Sequence, residues 1–200
     1  MLTLYDFKSS GNAYKVWLPL HQLRLPFIYL ETNILEGESR TPQFLEMNRN
    51  GKVPTLALED GRYLAESNAI LLYLAEGTGF LPSDPWQRSK VHEWLFFEQY
   101  SHEPNIATPR FWKNYLRAGE YDERELKWLQ QAGRDTLGVM EPHLRENEFF
   151  GRQYGVTDIA LYAYTHKADE AGQILSDFPA IEAWLARVCA QPGHVTMDVV

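Results

Sequence analysis

The chain has 200 residues, 44% of them apolar, enough for one large or two small buried cores. Its 27 acidic and 19 basic side chains leave a net charge of -8, which excludes a general nucleic-acid binder, whose footprint is basic. Cys189 is the single cysteine, so neither an intrachain disulfide nor a metal site built on cysteine pairs can form, and a reducing cytoplasm fits best.

In chain order, Leu2–Phe7 reads as a strand, Ala13–Leu25 as a helix and Phe27–Thr32 as a second strand. Pro19 lies inside that first helix and has no N–H for the carbonyl of Lys15, so the turn is expected to weaken and bend. A short helix near Thr41–Asn48 leads to a hairpin, in which Val53–Leu58 and Tyr63–Ala65 pair antiparallel around Asp60-Gly61. A further helix starts at or just after Ser67 and stops near Gly77. This βαβ then ββα order resembles a thioredoxin-like domain. Gly77–Pro85 is rich in residues that interrupt regular structure, and everything after it reads as helical. Helices are expected over Gln87–His102, Asp122–Met140, Asp158–Glu170 and Ala180–Cys189, with apolar spacing such as Leu126, Leu129, Leu137, Met140 and Leu144. Pro142 is expected to kink or end the helix that otherwise runs toward Asn147. The fold class is therefore α/β plus all-α: a thioredoxin-like domain at residues 1–77, a linker at 78–86 and a helical domain at 87–200. No signal peptide or membrane-spanning run is evident, so the chain is expected to be cytoplasmic and to bind no membrane.

Three clusters carry candidate chemistry. The Val53-Pro54 bond opens a strand, and in the cis form it would turn the Val53 N–H and C=O outward to pair with a bound peptide. The helix after Ser67 offers free N–H groups and its dipole to an anion, with Ser67 adding a hydroxyl and Glu66 a counter-charge for an ammonium. A carboxylate and an amine on one carbon satisfy both. Lys52 and Arg40 stand ready as positive charges beside this cradle. Ser10-Gly11-Asn12-Ala13 sets a hydroxyl and an amide at the start of the first helix, where free N–H groups meet an anion, although Ser10 and Asn12 are also ordinary cap residues. Pro109–Tyr115 gathers aromatics and cations, so Arg110, Trp112 and Tyr115 either line an apolar pocket or belong to the core. His102 and His166 read as structural, and strand alternation places Tyr5 toward burial.

Val53-Pro54, Glu66–Ile70, Ser10–Val16, Thr157–Tyr164 and Phe178–Leu185 occur in the order in which similar segments occur in the cytosolic glutathione transferases. The chain resembles that family over essentially its whole length, in particular bacterial members near the theta, zeta and nu classes. The resemblance implies glutathione as co-substrate, no metal, a small electrophilic second substrate, a role in detoxification and a homodimer. It assigns Ser10 as donor to the glutathione sulfur, with Asn12 as the second candidate after the nu pattern. Lys52, Val53, Glu66, Ser67 and Arg40 would hold the peptide, and Arg110, Trp112 and Tyr115 would meet the electrophile. Ala13 stands where many relatives have cysteine, which removes chemistry through a protein thiol at that position. Asp158 resembles the family's buried aspartate at a helix start. The serine or threonine usual three residues earlier is Gly155 here, so half of the reciprocal capping box is missing. Two other activities fit the same residues: glutathione-dependent reduction of disulfides or peroxides, and ligand binding without turnover.

Overall fold

A computed structural model describes residues 1–197 of the chain. They form two units: Met1–Thr78 together with the stretch from Pro192 onward, and Gly79–Gln191. The helical half therefore ends at Gln191 rather than running to the terminus, and the last three expected positions, 198–200, lie outside the described residues. No helix among the described residues is long and apolar enough to cross a membrane.

In the first unit β1 (Leu2–Asp6) and β2 (Phe27–Glu31) run parallel, while β3 (Thr55–Ala57) and β4 (Tyr63–Ala65) join antiparallel, giving the order β2-β1-β3-β4. Parallel neighbours need a crossover, and α1 (Gly11–Gln22) supplies it. Two 3₁₀ turns then lead to α2 (Pro42–Met47), and α3 (Ser67–Ala75) follows the hairpin. β4 has the expected bounds, but β3 is only the centre of Val53–Leu58. Pro54 has no ladder donor, and the side chains of Asn48 and Thr55 both donate to the Lys52 carbonyl.

α1 runs on through Pro19. The missing hydrogen bond falls in the last turn of a helix buried on nearly every side from Ala13 to Leu20, so packing outweighs it. The helix stops short of Leu25 because Arg24 turns to a left-handed φ of 53°, and the Leu25 N–H reaches back to the Leu20 carbonyl at 2.9 Å. Against this helix folds the carboxy-terminal stretch. The Tyr14 hydroxyl donates to the Val195 carbonyl at 2.6 Å, and Met197 is buried. Gly193, at φ 72°, lies so close that a Cβ there would sit 3.1 Å from Cα of Gln22.

The second unit begins with α4 (Pro85–Phe97), a π-helical turn (Glu98–His102) and α5 (Glu103–Tyr115) in one run. The sequence pattern ended this helix at His102. Pro104 explains the π turn: it cannot donate to the carbonyl four residues back, so the bonding slips by one residue. The Ser101 carbonyl exposed by the slip accepts from the side chains of Asn105 (2.7 Å) and Thr136 (2.9 Å). Pro109 frees the Asn105 carbonyl in the same way, and α6 (Glu123–Glu146) approaches there through Gly133, where a Cβ would lie 2.8 Å from that oxygen. α6 also passes Pro142 without ending. Pro142 and Gly138, four residues before it, are both exposed, so the orphaned carbonyl faces solvent and the proline ring meets no side chain at Gly138.

α7 (Val156–Thr165) is buried at all ten positions, and α8 (Pro179–Cys189) packs on it and on α6. α7 ends before the expected Glu170. From Lys167 to Gly172 the chain closes short turns such as Ala168 N–H to the Thr165 carbonyl, and Gly172 takes a φ of 99°. Asp158 is fully buried and accepts from the Gly155 N–H (3.1 Å), the Phe150 N–H (3.1 Å) and the Trp184 indole N–H (2.9 Å). Gly155 returns no side-chain bond, so only half of the reciprocal box exists, as the sequence implied. The glycine is itself required, because a Cβ there would lie 2.5 Å from the Phe80 carbonyl. Glu141 performs the corresponding service for α8, its carboxylate accepting from the Ala180 and Ile181 N–H groups at 3.1 Å.

Two outcomes are expected from this packing. Asp158→Ala strands three N–H donors and should lower unfolding free energy in urea by about 3 kcal/mol or more. Asp6, 4% exposed at the end of β1, has its carboxyl raised to about 8 by burial and then by the neighbouring charge of Glu31. Between its ordinary value of 3.8 and about 8 the folded chain holds a proton that the unfolded chain has released, so stability falls as pH rises through that window. Asp6→Asn is expected to match the parent near pH 4 and to gain on it steadily up to pH 8 in denaturation midpoints. The remaining slope belongs partly to Asp158, whose carboxyl burial pushes up to about 7 against the pull of its donors.

Candidate functional site

The first unit brings together the starts of α1 and α3. The turn before α1 is closed by the Ser10 N–H on the Phe7 carbonyl at 2.7 Å, which leaves Ser10 half-buried in an extended conformation at the cap. Its Oγ accepts from the Ala13 N–H at 3.2 Å. That bond uses a lone pair only, and the hydroxyl hydrogen remains as a donor. Two residues on, Asn12 turns its Oδ1 to the Ser67 hydroxyl, which donates to it at 3.1 Å. One turn further, Lys15 is fully buried with Nζ 3.5 Å from the same Ser67 oxygen. Ser67 thus receives from α1 and gives back to it, and the two helix starts are tied through one oxygen.

The other wall is the segment from Arg40 to Glu66. Asn48 organises it: its amide nitrogen donates to the Lys52 carbonyl (2.8 Å) and to Thr55 Oγ1 (3.1 Å), while its oxygen accepts from the Asn50 N–H (3.0 Å). Arg40 lies across Gly51 and donates to the Asn50 carbonyl at 2.9 Å. A Cβ at Gly51, which also has φ 61°, would come within 2.6 Å of that guanidinium. The Lys52 side chain projects into solvent, with no partner among the described residues. The Val53-Pro54 bond is cis, and the Val53 N–H and C=O have no hydrogen-bond partner among the described residues. An unpaired stretch of backbone beside a strand is what an extended peptide adds to. Glu66 ends this wall at the cap of α3, exposed, with a φ of 67° that few non-glycine residues adopt. Its carboxylate accepts from the Asn50 side chain at 3.5 Å.

Ser10, Asn12, Glu66 and Ser67, each singled out in the sequence, therefore stand at the starts of α1 and α3, while Arg40 lies before α2 and Lys52 and Val53 after it. Ser67 differs from expectation in one respect, since its hydroxyl hydrogen is directed to Asn12 rather than outward. Sequence reasoning missed Lys15, Asn48 and Asn50. A basic residue in the middle of an otherwise apolar helical stretch, Ala13–Leu20, was the available signal for Lys15. Tyr5 packs edge-on against Phe44, with ring centroids 6.1 Å apart.

In the second unit Arg110 is buried and its Nε donates to Glu170 at 2.7 Å. Trp112 stacks on Tyr121, with centroids 5.6 Å apart and planes 14° from parallel, and Tyr115 lies against Phe111. A cavity of about 460 Å³ opens in this unit between Phe80, Trp94, His143, Phe150 and Tyr154, and none of Arg110, Trp112 and Tyr115 lines it. His102 is buried with Nε2 2.8 Å from Thr165 Oγ1, and His166 stacks flat on Tyr162.

The chain is similar to known proteins over this unit and beyond it. Residues 9–76, which carry the whole of the site in the first unit, match the family model for the glutathione S-transferase N-terminal domain. A disulfide-bond oxidoreductase of Escherichia coli, YfcG, is 26% identical over 201 residues, covering 96% of this chain and 92% of that protein. A glutathione transferase from Burkholderia graminis, solved with two glutathione molecules bound per subunit, is 28% identical, with a TM-score of 0.84 over 96% of this chain and 85% of its own. The glutathione S-transferase from Pseudomonas fluorescens is 48% identical, with a TM-score of 0.95 over 98% of both chains. Identity at that level, sustained across both units and from end to end of each chain, marks common descent, and this chain belongs to the glutathione S-transferase family.

Proposed function

We propose that the protein transfers the thiol of glutathione to small electrophilic substrates, holding the tripeptide between the starts of α1 and α3. The observation that carries this reading is Ser10: its oxygen is fixed by the Ala13 N–H while its hydrogen stays free to donate. A free thiol ionises near pH 8.5, so activation requires a donor that favours the thiolate. A hydrogen bond to a charged group contributes about 1.5–3 kcal/mol, or roughly one to two pKa units. Attack on carbon then forms the carbon–sulfur bond while either a leaving group departs with its electron pair or a conjugated double bond opens and takes up the proton the thiol released, aided by placing the two reactants side by side. In this reading the unpaired Val53 backbone receives the cysteinyl residue as an added strand. Lys52 and Arg40 face the glycine carboxylate, Glu66 the glutamyl ammonium, and the start of α3 the glutamyl carboxylate. For contact with the electrophile we propose Arg110, Trp112 and Tyr115, of which Arg110 is paired with Glu170 and Trp112 is stacked on Tyr121.

Reduction of disulfides or peroxides by the same bound sulfur is the second reading, favoured by Asn12 on the first turn of α1 and by the likeness to the Escherichia coli oxidoreductase. The two differ in product, a thioether in one case and oxidised glutathione in the other. We also propose a homodimer. His92, Phe96 and Tyr100 repeat every four residues along α4 and the π turn, and Phe96 and Tyr100 are 73% and 88% exposed, an apolar stripe of the kind that interfaces cover.

Ser10→Ala should raise the pKa of the bound glutathione thiol, read by ultraviolet absorbance, by about one to two units while the affinity for glutathione changes little. The lost cap costs about 1 kcal/mol of stability, a shift that thermal melting separates from the change in chemistry. An unshifted thiolate signal in the variant would remove Ser10 from the mechanism. Phe96→Glu is expected to halve the sedimenting mass without loss of helical circular dichroism; an unchanged mass would place any dimer contact elsewhere.

A further inference from the structure

The cavity of about 460 Å³ in the helical unit takes no part in the glutathione reading, and its size is that of a small-molecule site. Four segments enclose it: the approach to α4 from Gly79 to Asp84, one side of α4, the last turn of α6 and the loop from Phe150 to Gly155. That loop is tied down along its length. Asp158 takes the Phe150 and Gly155 N–H groups, Gln153 donates to the Gly79 carbonyl at 2.8 Å, and the Val156 N–H donates to the Phe80 carbonyl at 3.0 Å. Rings complete the frame. Trp94 meets His143 and Phe150 edge to face, with centroids 5.0 and 4.7 Å apart, His143 lies flat on Phe150, and Phe80 meets Tyr154 at 5.6 Å. These contacts fix the walls in advance, so an aromatic guest meets a formed space lined with ring surface.

Charge decides which guest suits it. The carboxylates on the lining are already used: Asp84 accepts from the Gln87 N–H at 2.9 Å, and Asp158 accepts from its three donors. The two helix starts at the cavity, those of α4 and α7, thus have their anion supplied by the chain itself. Lys90 is paired with Glu93. Arg152 is the one cation on the lining without a partner among the described residues. The Trp94 indole N–H also has no partner among them and, unlike that of Trp17, is not sealed in the core. Neither group can accept a hydrogen bond. The cavity therefore offers rings, one unmatched positive charge and a further donor, and nothing to balance a second negative charge.

We propose that this cavity is a binding site for a small aromatic monocarboxylate, whose ring packs against Trp94, Phe150 and Tyr154 and whose carboxylate is held by Arg152, with the Trp94 N–H as second donor. The proposal is independent of the glutathione reading, since every residue that it uses belongs to the helical unit. Gln87, Val91 and Trp94 also fall on the side of α4 opposite His92 and Phe96, so a dimer through that stripe does not use the same surface.

Isothermal titration with 2-naphthoate tests the site, with 2-naphthamide as the uncharged control. The naphthoate should bind about ten-fold more tightly than the amide. Arg152→Ala should abolish that preference and Arg152→Lys keep most of it; the residue is exposed, so neither change threatens the fold. Location is read separately. The Trp94 indole N–H resonance, identified by its absence from Trp94→Phe, should shift on adding the naphthoate, and equally so with glutathione present. No binding at millimolar naphthoate overturns the proposal, as does equal affinity for the amide or a preference that survives Arg152→Ala. Binding that leaves the Trp94 resonance in place, or that glutathione displaces, puts the probe elsewhere and overturns it as well.

Discussion

A single hydroxyl oxygen joins the parts of the amino-terminal unit that matter most. Ser67 Oγ lies between Asn12 and the ammonium of Lys15, so the starts of α1 and α3 cannot separate or rotate without breaking a buried polar contact. Such contacts are modest when made and costly when left half-made, because the groups that lose their partners are already out of water. The position of Ser10 follows from this constraint. It caps a helix whose first turn is held from the side, and its oxygen is therefore fixed in place. The segment from Arg40 to Glu66 is independently secured through Asn48 and the Arg40 guanidinium over Gly51. Two separately braced walls give a site whose geometry precedes its ligand, which is how binding energy is kept for orientation and charge.

Strain and desolvation collect around that same site. Glu66 holds a backbone angle that non-glycine residues avoid, Asp6 is a buried acid that keeps its proton, and Lys15 is a fully buried lysine. Each is unfavourable by itself and is held by the surrounding fold. The helical unit shows a different economy, in which prolines interrupt helices and neighbours absorb the damage. Ser101 and Asn105 lose backbone partners to Pro104 and Pro109, and α6 answers with Thr136 and the bare backbone of Gly133. Asp158 and Glu141 then satisfy the N–H groups at the starts of α7 and α8, which local sequence leaves without side-chain caps.

What the sequence made legible follows from how local each signal is. The hairpin around Asp60-Gly61, the start of α3 at Ser67 and the cap at Ser10 depend on residues a few positions apart, and they stand where pattern and turn chemistry put them. Pro142 does not end α6, because the rule that proline breaks helices describes an isolated helix, whereas the exposure of Gly138 decides the matter here. The π turn could have been inferred from Pro104, but its stabilisation by Thr136, thirty-five residues away, could not. Lys15 and Asn48 escaped notice for a related reason. Their roles reside in partners from distant segments, Ser67 for one and Lys52 with Thr55 for the other, and no periodicity announces such pairings.

The stretch after Pro192 carries a consequence for how the molecule is made. Its backbone accepts the Tyr14 hydroxyl, its glycine lies on Gln22, and Met197 is buried, so the amino-terminal unit is finished by residues translated after the entire helical unit. On the ribosome the first 78 residues emerge with the flank of α1 still bare, and they wait for more than a hundred further residues before it is covered. The order of synthesis and the order of structural completion are therefore different. A protease or chaperone that samples the nascent chain meets an amino-terminal unit open along one helix until the stretch after Pro192 has been made.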